Sequence, residues 1–215
     1  MPATAQTPAT IGRPQHLPRT PVGVATAVQR RAARIGLPGL LGLLAVYLPF
    51  YVVFFSSSLP FSLAHARAAC GGRPVLDTRW WYGTRAAHDY LAACGPAGRA
   101  AITHQQLADL IYPALYAGVL TVAFALLLRA IAPVHPAWNL LIALPLLTGA
   151  LDYLENVGVW SQLLAFPSHG PLVPFFATVT GLKQGLGYAC IGVLAALLVT
   201  AGITRWRRRA HLARR

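Results

Sequence analysis

Charge is scarce in this 215-residue chain, where Asp, Glu, Lys and Arg together make up 11% of the residues. Soluble domains carry about 25%, so a soluble globular domain is excluded. Lysine occurs once, at Lys183, against 17 arginines. The three cysteines never form a CxxC pair, which rules against a quinone-linked thiol oxidase of the four-helix type. His16, His65, His88, His104, His135, His169 and His211 lie in tails, loops or span ends, which argues against heme held between helices. The outer group of His65, His88, His104 and His169, even with Asp89, matches no metal-ligand spacing. There is no phosphate-cradling glycine loop and no serine nucleophile elbow. No metal and no cofactor is therefore expected. Nor is a cleavable signal, because the first apolar run starts too deep in the chain and is too long.

Apolar length is what the chain has instead, with 56% hydrophobic residues. No charge falls between Arg34 and Arg67, and Leu40 to Phe55 is almost wholly apolar. That gives a first span of about 38–58, with a bend rather than a break expected at Pro49. Further spans follow at about 105–130, 137–165 and 172–204. The expected fold is an all-α, four-helix transmembrane bundle over residues 35–205, with one long outer loop, 59–103, between the first and second spans. Residues 1–34 read as a disordered basic tail whose end, Val24 to Arg34, forms a short helix on the membrane surface. Residues 206–215 form a second basic tail.

The net charge of +13 sits largely in those tails. Nucleic acid is a poor partner for it, because such binders carry a basic face on a folded domain. Basic tails beside spans are instead drawn to anionic headgroups and mark the cytoplasmic side. Twelve Arg fall in the tails and at Arg129, against five in the long loop, so both termini are expected on the cytoplasmic side of a bacterial inner membrane. An oxidising outer compartment would permit a Cys70–Cys94 disulfide in that loop. Thr84 is expected to cap a helix there that Gly95 and Pro96 stop. Trp80, Trp81 and Tyr82 suit an interfacial belt. Tyr47 and Tyr51, one turn apart, are expected to pack as aromatics, and Gly181 with Gly185 gives the fourth helix a close-contact surface.

The chemistry concentrates in Asp152, Glu155 and Asn156, which share one face of the third span near its middle. Ionisable groups at that depth are costly unless paired, so they should face the bundle interior. Asp152 lies about 13 residues, roughly 20 Å, below the turn at Phe166 to Pro171, and Lys183 about 12 residues, roughly 18 Å, below its other side. The two are therefore expected to meet, with Gln184 as a further amide. A chain that otherwise writes its cations as Arg has placed here the amine that can lose a proton when buried. Two readings stay open: polar glue that fixes helix register, or a working acid–amine site in a cavity.

Gly95-x-x-Gly98-Arg99, Asp109-x-x-x-Pro113-x-x-Tyr116, Pro145 and Asp152-x-x-Glu155-Asn156 resemble a pattern in bacterial four-pass membrane proteins of no established activity. The resemblance covers roughly residues 90–160. It implies the four-span topology, and it implies that Arg99, Asp109, Tyr116, Asp152, Glu155 and Asn156 form one constellation. The function expected is a multi-pass membrane protein whose polar cavity binds a small amphiphile or membrane lipid, or acts as an enzyme on a lipid or isoprenoid. Asp152, Glu155 and Lys183 are then the candidate catalytic groups. The alternatives are a structural or assembly subunit, and proton- or ion-coupled transport by a homo-oligomer.

Overall fold

The computed structural model describes residues 20–131, 135–168, 170 and 172–213. The expectations for residues 1–19, for Pro133, and for His169 and Pro171 in the outer turn lie outside these. The described chain is all-helical, and four helical stretches are long and apolar enough to cross a membrane. Helix α1 spans Pro21–Ser56, α2 Leu63–Ala69, α3 Thr84–Ala108, α4 Tyr112–Ile131, α5 Ala143–Ala165 and α6 Val173–Leu212. Short 3-10 turns occur at Leu76–Thr78 and Pro136–Ile142.

Helix α1 begins with the Thr20 hydroxyl accepting from the Gly23 amide and with Pro21 in the first turn, where a missing N–H costs nothing. It breaks at Gly36, whose φ of 69° suits glycine. The basic half before the break is not a free tail. Gln29 Nε2 donates to the Ala125 carbonyl (3.2 Å), and Thr26 Oγ1 accepts from Asn139 Nδ2 (3.0 Å). The half after it runs through Pro49 without interruption to Ser56. Tyr47, Tyr51, Phe54 and Phe55 of this half gather around Tyr112 of α4.

Helix α4 is the hub. It touches α1, α5 and α6, and it buries Pro113, Tyr116, Ala117, Val122, Phe124, Ala125 and Leu128. Small residues allow the close approaches. A side chain at Gly149 of α5 would meet Ala117 Cβ at 3.0 Å, and one at Gly158 would meet the Phe176 ring at 2.4 Å. The glycines that let these helices approach closely therefore lie on α5, and not on α6 as expected. Gly181 approaches the Trp80 carbonyl rather than a helix, and nothing lies within 4 Å of a side chain placed at Gly185.

The long connection between the first and second spans is mostly helical and folds as a cap. Its core of Ala66, Val75, Leu76, Tyr82, Ala87, Tyr90, Leu91 and Ile102 extends onto Val159 of α5 and Ala177 of α6. Gly95, at φ 64°, ends one helical piece, and Pro96 opens the next at once, so α3 turns a corner and continues to Ala108. A proline can start a helix as readily as it stops one, which is why the stop expected at this point became a bend. The second span consequently starts at Tyr112, after a turn at 109–111. Thr84 is the first helical residue, and Gly83 holds the cap position with no side-chain bond. Trp80 and Trp81 are exposed. The third span opens with the 3-10 turn at Pro136–Ile142 before α5 proper, and α6 carries on to Leu212, well past 204.

Cys70 and Cys94 are joined as a disulfide across that corner, 24 residues apart, both buried. Closing a loop of this size stabilises by about 3–4 kcal/mol in the chain-entropy model. Replacing both cysteines with alanine should lower the midpoint of thermal unfolding in detergent by several degrees. A reductant should give a similar loss in the wild type and none in the double variant.

Candidate functional site

Five acidic residues occur in the chain, and four of them, Asp77, Asp109, Asp152 and Glu155, are buried. Asp89 is exposed and pairs loosely with Arg85, one helical turn away. A single cation, Lys183, lies among the buried four. Its Nζ donates to Asp152 Oδ1 (3.2 Å), to Glu155 Oε2 in a close ion pair, and to the Asp77 backbone carbonyl (3.4 Å). An ammonium has three hydrogens, so all three are engaged. The meeting of α5 and α6 at these residues is the one expected from the depth arithmetic.

Each carboxylate has a second donor. Tyr116 O–H reaches Asp152 Oδ2 at 3.0 Å from α4, and Thr180 O–H reaches Glu155 Oε1 at 2.5 Å from one turn before Lys183. Glu155 is fully buried, and Asp152 nearly so. A charge taken out of water costs several kcal/mol, and it survives only when pairing and hydrogen bonds compensate on every side. Here three helices supply that compensation. Gln184 Nε2 joins from α6 by donating to the Asp77 carbonyl at 3.4 Å.

The remaining residues of the constellation sit nearer the cap. Asn156 Nδ2 donates to the Asp109 backbone carbonyl at 3.2 Å, tying α5 to the turn after α3. The Asp109 carboxyl is buried and has no hydrogen bond or ion pair among the described residues. Arg99 does not join the cluster. Its guanidinium donates to the Leu91 carbonyl (2.9 Å) and lies over the Phe166 ring at 4.3 Å. By its place at the end of the connection Asp109 is expected to cap a helix or to pair with Arg99; it holds the C-cap position of α3 through its backbone N–H, and its side chain forms no pair with Arg99.

Asp77 is the residue that the sequence alone did not reveal. It belongs to the 3-10 turn of the cap, and its Oδ2 accepts from Gln105 Nε2 (3.5 Å) and Gln106 Nε2 (3.4 Å) on α3. Burial pushes its carboxyl above the usual carboxylate range, against the pull of Lys183. Thr180 was also missed, though its place three residues before Lys183 puts both on one helical face.

Beside this network is a cavity of about 510 Å³. Tyr47 and Phe55 of α1, Tyr112 and Tyr116 of α4, and Gly187, Tyr188 and Ile191 of α6 form its walls. Lys183, Gln184, Asp77 and Thr78 stand at its polar end. Most of the lining is aromatic or aliphatic, and the volume is in the range of small-molecule sites.

Fold and site together define a class: an all-α protein of four apolar helices, compatible with a multi-pass membrane protein, built around a buried acid–lysine centre. Comparison with known proteins goes no further, since no family model, no curated protein and no solved structure matches the chain.

Removing the lysine while its acids remain leaves buried charge without compensation, so Lys183→Met should cost about 3–5 kcal/mol of stability. Adding Asp152→Asn and Glu155→Gln to it should restore most of that loss. Unfolding of the single and triple variants in micelles, read by circular dichroism, checks both.

Proposed function

We propose that this is a multi-pass protein of a bacterial inner membrane, with both termini cytoplasmic, whose cavity binds a small amphiphile with an uncharged, hydrogen-bonding head. The location follows from the basic tails and the comparatively arginine-poor outer segments. The observation that carries the ligand class is the saturation of Lys183. Its three hydrogens are committed to Asp152, Glu155 and the Asp77 carbonyl. An anionic headgroup would therefore find no free cation among the described lining residues, and excess carboxylate behind it. A cationic head would meet the ammonium itself. What remains for a ligand is hydroxyl and amide chemistry from Tyr47, Tyr112, Thr78 and Gln184, above an aromatic and aliphatic wall for an acyl or isoprenoid chain. Asp152 and Glu155 then act through Lys183, as the acids that hold it charged and in place. An enzyme acting on such a lipid is the stronger form of the same reading, with these three groups as its proton-handling candidates.

The same saturation favours a second reading, in which the cluster only locks α5 against α6. Asp152→Asn and Glu155→Gln combined with Lys183→Met keep fold and cellular phenotype under that reading and lose the phenotype under the first.

Gly187 offers a clean test, because it lines the cavity and a Cβ added there meets nothing within 4 Å. Wild type and Gly187→Leu should unfold at similar temperatures. In native mass spectra from nanodiscs of equal diacylglycerol and phosphatidylglycerol content, the wild type should retain diacylglycerol and the variant should lose it by an order of magnitude or more. Retention of phosphatidylglycerol, or equal retention by both proteins, overturns the proposal.

A further inference from the structure

A second, much smaller cavity of about 10 Å³ lies inside the cap, lined by Asp77, Tyr90, Gln105 and Gln106 among apolar residues. That is room for one water molecule. Three of the four polar residues lining it carry a buried atom with no hydrogen-bond partner among the described residues: Asp77 Oδ1, the Tyr90 hydroxyl and Gln106 Oε1. Buried polar atoms are rarely left unpaired, and three of the residues that carry one border this single void.

We infer that this cavity is a binding site for a single internal water, which joins Tyr90 of α3 to the Asp77 turn and to Gln106. The bonding count closes. The Tyr90 O–H donates to the water oxygen, and the two water hydrogens go to Asp77 Oδ1 and Gln106 Oε1. Three bonds is the usual complement of a buried water. The amide of Gln106 is not free to turn and supply the missing donor. Its Nε2 already serves Asp77 Oδ2 and Gln105 Oε1, and reversing it would set oxygen against oxygen. A hard cation fits worse, since it seeks about six oxygens and finds three, one of which carries its own hydrogen.

The site matters beyond the cap because Asp77 borders both cavities. Its carboxylate is held by Gln105, Gln106 and the water, and its backbone carbonyl receives Lys183 and Gln184. The water therefore completes the seat of the turn against which the lysine rests. This inference is independent of what the large cavity binds.

Tyr90→Phe is the test, because it removes one hydroxyl and keeps the ring that lies under Arg79. If the water is bound, the variant strands one of its bonds, and the unfolding temperature should fall by about 2–4 °C. If the site is dry, the substitution deletes an unpaired hydroxyl, and the unfolding temperature stays or rises. A wild-type map at a resolution that shows ordered solvent should carry a peak between the three oxygens. Either an unchanged or raised unfolding temperature, or a map without that peak, overturns the inference.

Discussion

One buried ion pair sets the terms for this molecule. Glu155 and Lys183 face each other from α5 and α6, the acid fully buried and the lysine largely so, and neither is tolerable there without the other. Their pairing fixes the register of the last two helices. Tyr116 then draws in α4 through Asp152, and the Asp77 carbonyl draws in the cap. The polar layer that results is bounded at both ends by apolar cores. One is the disulfide-bearing core of the cap, and the other gathers Val122, Phe124, Leu128, Ile142 and Leu197 near the opposite end. Hydrophobic packing supplies little net drive between helices inside lipid. The central layer is where this bundle gains its specificity.

The cap changes what the long connection is for. A 3-10 turn that places a carbonyl on a buried ammonium must be positioned to within a hydrogen bond's length. Loops rarely hold such a position unaided. Here the disulfide closes the corner of α3 onto α2, and Gln105 and Gln106 hold the turn's carboxylate from the adjoining helix. Gly98 permits the closeness, since a side chain there would sit 3.0 Å from the Ala69 carbonyl. The connection is thus the fifth wall of the site.

The number of spans, the Cys70–Cys94 link and the encounter of Asp152 with Lys183 are all legible in the sequence. Each follows from a property that is local or nearly so: apolar length, redox compartment, and equal depth on either side of one tight turn. Asp77 was not readable, because a loop residue reaches a buried site only by tertiary folding, and no periodicity records where a loop returns. Arg99 misled for a related reason. The break at Gly95 and Pro96 strands carbonyls in the preceding turn, and the guanidinium went to one of them, Leu91, instead of to an acid. The extent of α1 was hidden similarly. Pro-rich, Arg-rich sequence reads as tail, yet from Pro21 onward it docks on α4 through small residues such as Ala32 and Ala33.

The length of α6 has a consequence of its own. At 1.5 Å per residue its 40 residues extend about 60 Å, roughly twice the hydrocarbon thickness of a bilayer. Arg205, Arg207, Arg208 and Arg209 lie on its exposed terminal turns, stepped by about 100° per residue. Their charges consequently encircle the helix as a collar instead of forming a stripe. A collar fixes how deep the helix sits but is indifferent to its rotation, so the azimuth of α6 is dictated from the other end of the bundle, at Lys183.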